Sequence, residues 1–453
     1  MNYEQKKVLV VGMARSGIAA AQLLRSVGAQ VTVNDSKPAE QLEGLEVLEG
    51  LQLDWQLGCR ADELLEGKDV LVISPGIPAD APFVQKARDM GLYVTGELEL
   101  AWQLGQGTLV AVTGTNGKTT TVSLLGEIFR NAGKVTHVVG NIGYPYSLAS
   151  MVSRREDVIV CEVSSFQMET ADTFHPHVAL LTNITEDHLN RHGTMEVYTG
   201  MKMRMFRNQT PDDWAVFNAD DPGLKGLSSQ VHARVMKFSR KKEVREGAFV
   251  RNGEVIIRIR GEERTVCRTD EIRIPGPHNL ENALGAVCCA AAMDVPVPVI
   301  RHSLRTFPGV EHRIENVRTL DGVTYYNDSK GTNVDSTIKA VETMTRPTVL
   351  ILGGYDKKVS FDPLSREIME RKEIIRETVL IGQTAPQIEK SLREAGYENI
   401  LHASSLREAV ETCRQIAEDG WNVLLSPACA SFDMFRDYEE RGRKFKAIVQ
   451  ELS

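Results

Sequence analysis

Short apolar runs alternate with longer amphipathic stretches along the whole chain. The runs are rich in valine, isoleucine and leucine, and they read KVLVV, VTVN, VLVIS, TLVAVTG, DVIVCEV, VALLTN, TVLILGG, ETVLIG and NVLLSPA. Helix-forming sequence follows them, as in IAAAQLLRSVG and TTVSLLGEIFRNAG. Strands that are apolar throughout are typical of parallel sheets covered by helices on both faces. The pattern therefore predicts an α/β protein built on open, mostly parallel sheets.

The strand–helix series falls into three blocks, at residues 1–97, 98–308 and 309–453. A chain of 453 residues exceeds one ordinary core, so we expect each block to be a domain. Short alternating segments at 231–275 predict an antiparallel excursion from the sheet of the second block. The sequence contains no internal repeat and no long flexible linker, which predicts that the blocks pack around a shared cleft.

Composition narrows the class of protein. The chain is 42% hydrophobic and 25% charged, and its net charge of -8 is spread out, without a basic stripe that could neutralise nucleic-acid phosphates. No apolar segment approaches the roughly 20 residues that span a bilayer. The cysteines form no C-x-x-C pair, so we expect reduced core residues in a cytoplasmic protein; they are Cys59, Cys161, Cys267, Cys288, Cys289, Cys413 and Cys429.

The segment TGTNGKTTT, residues 113–121, is a candidate phosphate-binding loop. A predicted strand precedes it and a helix is expected to begin near Thr120, so backbone N–H groups converge where the helix dipole is positive. Two residues separate Gly114 from Gly117, whereas the common P-loop has four. Lys118 can still reach phosphate oxygens, and the Thr119 hydroxyl can ligate Mg²⁺.

Two further positions fit metal chemistry, and one N-terminal segment fits nucleotide binding. Glu162 ends the DVIVCE strand and His188 follows VALLTN, although alone each fits a solvated carboxylate or a structural histidine. The segment VLVVGMARSG resembles a dinucleotide fingerprint in which Ala14 replaces the middle glycine. Asp35 follows at the distance expected for a sugar hydroxyl, so the block is interpreted as a Rossmann-like binder of a sugar nucleotide.

The loop TGTNGKTT resembles the ATP loop of the Mur ligase superfamily, which includes folylpolyglutamate synthetase and joins a carboxylate to an amine with ATP. Further motifs typical of that superfamily occur in all three blocks: EVSSFQME (162–169), TNITEDHLNRHG (182–193), PGPHNLENALGA (275–286), HR (312–313), YNDSKGTN (326–333) and SPACASFDMF (426–435). The resemblance implies a Rossmann-like first domain, a central P-loop-type ATPase domain and a Rossmann-like third domain that completes the ATP site by domain closure.

The resemblance also implies the ATP and metal ligands. It assigns the ATP loop to Gly114, Thr115, Asn116, Gly117, Lys118, Thr119 and Thr120. Adenine, phosphate and ribose contacts are assigned to Asn279 and Asn282, Arg313, and Asp328, respectively. Two Mg²⁺ ions are implied, with ligands from Thr119, Glu162, His188 and Lys202, the last as a carbamate. Lys118, His188 and Lys202 are the implied catalytic residues of a reaction that passes through an acyl phosphate.

Within the superfamily, the chain is most similar to the members that add D-glutamate to UDP-N-acetylmuramoyl-L-alanine. That similarity implies these two small molecules as substrates, a monomer, and no membrane or nucleic-acid partner. The sugar nucleotide is assigned to Asp35, Ser36, Lys37, Ser74, Pro75, Gly76, Asn141 and Ser164, and D-glutamate to Lys330, Thr332, Lys357, Ser431 and Tyr438. Lys37 stands where an arginine is common, and its ammonium cannot make the bidentate contact of a guanidinium.

Four alternatives remain open from the sequence. Another Mur-type amino-acid ligase or a folylpolyglutamate synthetase would keep the chemistry and change the substrates. A nicotinamide-dependent dehydrogenase would use the first block, but the middle glycine of the fingerprint is missing. A nucleotide-dependent switch would need an N-K-x-D base-reading motif, which the sequence lacks.

Overall fold

The protein is described from a computed structural model, for residues 1–141, 143–356 and 359–453. Lys357, predicted to bind D-glutamate, lies outside the described residues. The chain forms three α/β sheets, mostly parallel, which confirms the predicted fold class. Within the described ranges, no helix combines the length and apolar character needed to cross a membrane.

The first sheet is formed by β1 Lys7–Val11, β2 Gln30–Asp35, β3 Leu53–Leu57, β4 Val70–Ile73 and β5 Tyr93–Gly96. All of its pairings are parallel, in the order β3-β2-β1-β4-β5. Its helices are α1 Arg15–Ser26, α2 Pro82–Asp89 and α3 Glu97–Leu104. The chain reverses its direction of strand addition between β1 and β4, and ligands of such sheets bind at the carboxyl ends of the strands beside that switch point.

The second sheet has nine strands: β6 Thr108–Thr113, β7 Thr136–Gly140, β8 Val158–Glu162, β9 Val178–Leu181, β10 Trp214–Asn218, β11 Arg234–Ser239, β12 Gly247–Arg251, β13 Glu254–Ile259 and β14 Glu262–Arg268. Their order is β14-β13-β12-β11-β10-β9-β6-β8-β7. The accompanying helices are α4 Lys118–Asn131, α5 Tyr146–Ser150, α6 Ser165–Met168, α7 Leu189–His192, α8 Met195–Met203, α9 Pro277–Ala292 and α10 Val297–Thr306.

Two predictions about this region need correction. The antiparallel excursion is confined to β12, β13 and β14, because β11 pairs parallel with both β10 and β12. Helix α4 begins at Lys118, two residues earlier than expected, because Gly117 adopts a left-handed conformation and the helix starts directly after it. Lys118 and Thr119 therefore belong to the first helical turn, where backbone N–H groups lack helical partners.

The third sheet contains β15 Glu315–Leu320, β16 Val323–Asn327, β17 Thr348–Gly353, β18 Ile375–Ile381, β19 Ile400–His402 and β20 Asn422–Leu425, in the order β15-β16-β20-β17-β18-β19. Its pairings are parallel except β15 with β16. Its helices are α11 Val334–Thr343, α12 Asp362–Glu370, α13 Ala385–Glu394, α14 Leu406–Ile416 and α15 Tyr438–Glu451. Successive strand residues enter opposite cores, one containing Leu350 and Leu352 and the other Val349 and Ile351, which explains the continuous apolar runs.

The chain divides into two compact units. One comprises Met1–Ile272 with Leu280–Phe307, and the other Arg273–Asn279 with Pro308–Ser453. The first unit contains the first two sheets, and the second contains the third sheet. The domain limits at 97 and 308 stay predictions. The cysteines are free and buried, except that Cys59 is half-buried.

Candidate active site

The loop of residues 113–121 runs from the end of β6 into α4, as the sequence predicts. Its glycines are required by geometry. Gly114 has φ +146°, and a Cβ there would lie 1.9 Å from Thr182 Oγ1. Gly117 has φ +84°, and a Cβ there would lie 2.2 Å from the Asn282 side-chain oxygen. Larger residues are thus excluded at both positions by strain and by contact, and the shortened spacing forms an ordered turn before the helix.

The next strand along the sheet completes the loop, through residues whose roles the sequence analysis did not assign. Asn183 Oδ1 accepts from the Asn116 N–H at 2.8 Å, and Asn183 Nδ2 donates to the Asn116 carbonyl at 3.0 Å. Thr182 Oγ1 donates to the same carbonyl at 2.7 Å. Thr115 Oγ1 lies 3.2 Å from the Tyr198 hydroxyl and donates to the Thr185 carbonyl at 3.1 Å. The motif TNITED, quoted above for the family resemblance, was the signal for this support.

Glu162 ends β8 directly beside the loop. It is 2% exposed, and its two carboxylate oxygens accept from neutral donors, Thr119 Oγ1 at 2.9 Å and Asn141 Nδ2 at 3.0 Å. A buried carboxylate is costly unless a cation or several hydrogen bonds compensate it. Carboxylate and hydroxyl oxygens are ligands that Mg²⁺ prefers, so Glu162 with Thr119 fits the predicted metal site. Asn141, predicted to contact substrate, here uses its amide nitrogen to hold Glu162.

Two lysines converge on the loop. Lys118 Nζ donates to the carbonyls of Gly114 at 2.9 Å and Thr115 at 2.8 Å, and Lys202 Nζ donates to the Gly114 carbonyl at 2.8 Å. Lys202 is 2% exposed, and its burial, with a smaller contribution from the Lys118 charge, lowers the pKa of its amine well below the ordinary value. The structure thus brings together Lys118, Thr119, Glu162 and Lys202.

His188 begins α7 in a left-handed backbone conformation, with φ 53°. Its ring lies 4.8 Å from the Phe166 ring, centroid to centroid, and its side chain is 47% exposed. A non-glycine residue at positive φ is uncommon and often marks a functional position. The second predicted metal ligand is therefore held at an exposed turn. Ser164, predicted to bind substrate, caps α6, where its hydroxyl accepts from the Gln167 N–H.

Two of the residues predicted to bind ATP have a buried polar side-chain atom without a hydrogen-bond partner. Among the described residues, Thr120 Oγ1 is buried without a hydrogen-bond partner, and so is Arg313 Nε. Buried donors without partners are rare in folded proteins and usually await a ligand or solvent. Thr120 lies in the first turn of α4, and Arg313 belongs to the HR motif. Phosphate oxygens would satisfy both donors.

The remaining ATP candidates are buried. Asn282 packs its side chain against Gly117, and Asn279 Nδ2 donates to the Pro275 carbonyl at 2.7 Å. Asp328 accepts from Ser426 Oγ at 2.6 Å and from the Ile314 N–H at 3.2 Å. Its burial raises the pKa of the carboxyl to about 6 despite these hydrogen bonds.

A cavity of about 560 Å³ opens at the carboxyl ends of the first sheet. Asp35 and Ser36 line it, together with two basic residues that the sequence analysis missed, Arg60 and Lys86. Asp35 Oδ2 accepts from the Met13 N–H at 2.8 Å, so its carboxylate also fixes the fingerprint turn. The other lining residues are Val11, Gly12, Asn34, Cys59, Ala61, Asp62, Ile77, Pro82 and Phe83; Lys37 and Ser74–Gly76 are not among them.

Three of the predicted D-glutamate residues, Lys330, Thr332 and Ser431, lie on two loops of the third sheet that one buried arginine connects, and Tyr438 begins α15. Arg441 is 1% exposed, and it donates to Ser329 Oγ at 2.9 Å and to the carbonyls of Ser329 at 2.8 Å and Cys429 at 3.2 Å. Lys330 Nζ lies 5.6 Å from the centroid of the Tyr438 ring. Ser431 is buried, and Thr332 is half-buried. Sequence reasoning missed Arg441, because an arginine in an amphipathic helix is usually exposed.

Three family profiles match successive parts of the chain. Their descriptions are Mur ligase MurD-like, N-terminal domain, at residues 6–96; Mur ligase middle domain, at 112–290; and Mur ligase, glutamate ligase domain, at 312–429.

Curated relatives match over their full length. Two of them are called UDP-N-acetylmuramoylalanine--D-glutamate ligase. The one from Caldanaerobacter subterraneus subsp. tengcongensis is 46% identical to this chain, and the one from Pelotomaculum thermopropionicum is 48% identical. The alignments cover 100% of this chain and 100% and 99% of those proteins.

Solved structures share the fold at lower identity. UDP-N-acetylmuramate-alanine ligase MurC from Thermotoga maritima aligns with a TM-score of 0.60 at 19% identity, over 98% of this chain and 99% of that chain. A pseudomurein peptide ligase type C from Methanothermus fervidus aligns with a TM-score of 0.60 at 19% identity, over 99% of this chain and 100% of that one.

Proposed function

Because the chain belongs to the Mur ligase family, we propose that it is an ATP-dependent ligase that joins D-glutamate to UDP-N-acetylmuramoyl-L-alanine in peptidoglycan precursor synthesis. The full-length identity with relatives that carry this name supports the choice of substrates. One structural observation carries the chemistry: the loop, Glu162 and two lysines meet at the carboxyl edge of the second sheet.

The reaction brings two anions together, the carboxylate of the sugar nucleotide and the γ-phosphate of ATP. The carboxylate attacks the γ-phosphorus, which forms an acyl phosphate and releases ADP. The D-glutamate amine then attacks the acyl carbon, and the amide bond forms as phosphate leaves. Lys118 at the N-terminus of α4 would stabilise the charge that develops on the transferred phosphoryl group. The catalytic power lies in positioning and electrostatics, without a strong protein base.

Glu162, Thr119 and His188 are the proposed ligands of two Mg²⁺ ions. When bound, Mg²⁺ supplies charge neutralisation at the phosphate oxygens. The hydroxyl of Thr119 and the carboxylate of Glu162 lie 2.9 Å apart, so these two side chains would hold an ion together. Thr120 is positioned to donate its unpartnered hydroxyl to phosphate.

We also propose that Lys202 is carbamylated in the active enzyme. The proposal rests on the family resemblance and on the placement of the Lys118 and Lys202 side chains at the Gly114 carbonyl. Carbamylation needs a neutral amine, which the lowered pKa of Lys202 favours, and the carbamate would place an anion next to Lys118. With ¹³C-bicarbonate, the wild-type protein should show a carbamate signal that is absent in Lys202→Ala and retained in Lys241→Ala, a change at an exposed lysine of the first unit.

The other binding roles are proposals that follow from the family. The sugar nucleotide is assigned to Asp35, Ser36, Lys37, Asn141 and Ser164 with the Ser74–Gly76 loop, and ATP to Asn279, Asn282, Arg313 and Asp328. Lys330, Thr332, Lys357, Ser431 and Tyr438 are assigned to D-glutamate. We propose a monomer that acts in the cytoplasm, where ATP is available.

Phosphate release from ATP tests the function directly. Phosphate should appear when ATP, Mg²⁺, UDP-N-acetylmuramoyl-L-alanine and D-glutamate are all present, and mass spectrometry should show the amide product. L-Glutamate, L-alanine, L-lysine and diaminopimelate serve as competing acceptors, and Lys118→Ala is the inactive control. Product with a different acceptor would reassign the substrate, and phosphate release without any acceptor would contradict the ligase proposal.

A further inference from the structure

Arg191 connects the loop after β4 to the second sheet, inside the first unit. Its Nη1 donates to the Gly76 carbonyl at 3.2 Å, and its Nη2 donates to the carbonyls of Pro75 at 3.4 Å and Ile77 at 3.0 Å. The same guanidinium binds Glu169 with two parallel bonds, from Nε at 3.1 Å and from Nη2 at 2.7 Å. One side chain thereby engages three consecutive carbonyls of one loop and a carboxylate of another segment.

The pair is well enclosed. The side chains of Arg191 and Glu169 are 16% and 12% exposed. The guanidinium carbon lies 4.8 Å from the centroid of the Phe166 ring, and Glu169 Oε2 also accepts from the Ala79 N–H at 3.2 Å. A bidentate, partly desolvated Arg–carboxylate pair is among the stronger protein contacts and is geometrically specific. An exposed surface ion pair would have neither property.

The contacts determine how the loop presents its backbone. Peptide bonds here are trans, so when the Pro75 carbonyl faces Arg191 the Gly76 N–H points away from it. Ser74 is fixed separately, because its hydroxyl donates to the Gly12 carbonyl at 2.7 Å and its carbonyl accepts from the Ile77 N–H at 2.9 Å. The loop is therefore held from both sides, by the fingerprint turn and by Arg191.

Each member of the pair is close in sequence to a proposed metal ligand. Glu169 follows Glu162 through the short helix α6, and Arg191 follows His188 within α7. The segments that carry these ligands are thus tied to the Ser74–Gly76 loop, which the proposed function assigns to the sugar nucleotide. The pair thus joins the Ser74–Gly76 loop to the two segments that carry these ligands.

We propose that Arg191 and Glu169 are a positioning pair that sets the Ser74–Gly76 loop for the diphosphate of the sugar nucleotide. This inference rests on the proposed function, because it concerns how that substrate is aligned with the phosphoryl-transfer edge. The pair contacts the backbone of the loop, and other residues are proposed to bind the transferred phosphate. Its loss should weaken binding of the sugar nucleotide and leave ATP binding largely unchanged.

Steady-state kinetics on three variants test the inference. Arg191→Lys keeps the charge but cannot span the carboxylate and three carbonyls. We expect it to raise KM for the sugar nucleotide about tenfold, and Arg191→Ala about 30-fold or more, with KM for ATP within about twofold of wild type. The rise in KM for the sugar nucleotide in Glu169→Gln should lie between the rises in Arg191→Lys and Arg191→Ala. Arg207→Lys is the matched control, since Arg207 forms an exposed pair with Asp172 at 2.8 Å.

Two more measurements separate positioning from a general structural role. Titration calorimetry without ATP should show weaker binding of UDP-N-acetylmuramoyl-L-alanine to both Arg191 variants. Hydrogen exchange should show faster exchange in peptides covering residues 74–79, with the rest of the first unit unchanged. The double variant Glu169→Gln/Arg191→Ala should be no worse than Arg191→Ala, because the two side chains act as one unit.

The outcomes distinguish the two proposals. Wild-type protein that releases no phosphate with both substrates would overturn the proposed function and leave no activity to analyse. If the wild type is active, unchanged KM for the sugar nucleotide in both Arg191 variants would overturn the positioning role. An equal rise of both KM values together with a lower melting temperature would overturn it as well, in favour of a structural role.

Discussion

Asp328 gives a stability prediction whose size follows from its surroundings. The buried carboxyl has a pKa of about 6, compared with 3.8 for an ordinary aspartate. The folded protein therefore keeps a proton between these values that the unfolded chain releases, so stability falls as pH rises through this interval and is constant above it. At about 1.4 kcal/mol per pH unit, the total loss is about 3 kcal/mol, of which about 2 kcal/mol develops between pH 4.5 and 7.5.

The variant Asp328→Asn should remove this dependence with little rearrangement. The asparagine oxygen can still accept from the Ile314 N–H. Its amide nitrogen would face Ser426 Oγ, which lies 3.0 Å from Thr337 Oγ1 and can donate there instead. Any hydrogen bond that is lost shifts stability equally at all pH values, so the change with pH isolates the titration of residue 328.

The assay is urea unfolding of the ligand-free protein at pH 4.5 and 7.5. Pulsed hydrogen exchange with mass spectrometry can follow peptides from Pro308–Ser453 separately, which avoids treating a two-unit protein as one transition. The stability of Asp328→Asn relative to wild type should increase by about 2 kcal/mol from pH 4.5 to 7.5. Asp321→Asn, in the same unit and at a side chain that is 65% exposed, is the control. A difference in unfolding free energy between Asp328→Asn and wild type that stays constant with pH would refute the reasoning.

Three further predictions concern other positions. Gly117→Ala should raise KM for ATP by about tenfold or more, because a Cβ would lie 2.2 Å from the Asn282 oxygen and the left-handed backbone costs about 1–2 kcal/mol; unchanged kinetics would contradict the cradle. Glu162→Gln should lower Mg²⁺-dependent phosphate release about 100-fold or more without changing the melting temperature, and a normal rate would remove Glu162 from the metal site. Burial, with the nearby Arg313 and Lys339 charges, lowers the pKa of His278 to about 3, so stability is lost as pH falls below 6.5. The unfolding free energy of His278→Gln relative to wild type should therefore increase by about 3 kcal/mol from pH 7.5 to pH 4.5 in the same urea assay.

The local sequence determined much of the fold and the chemistry. Apolar runs such as TVLILG are fully buried strands, because a strand covered on both faces has no polar side to display. The loop at 113–121 was also recognisable from local sequence, because glycines, a lysine and threonines between a strand and a helix are typical of a phosphate-binding loop. Thr119 and Glu162 could be paired in advance because parallel strands end at one edge.

Only the tertiary structure showed how distant segments support these residues. Asn183 holds the loop at 113–121 and Arg441 connects two loops of the third sheet, yet neither has a local pattern that marks it. The sequence predicted antiparallel pairing for β11, and this prediction was wrong, because short alternating strands fit parallel and antiparallel neighbours equally well. Periodicity reports which face of an element is buried, whereas side-chain partners far apart in the chain depend on how the elements pack. The contacts of Arg191 with Pro75, Gly76 and Ile77, more than a hundred residues away, are of that second kind.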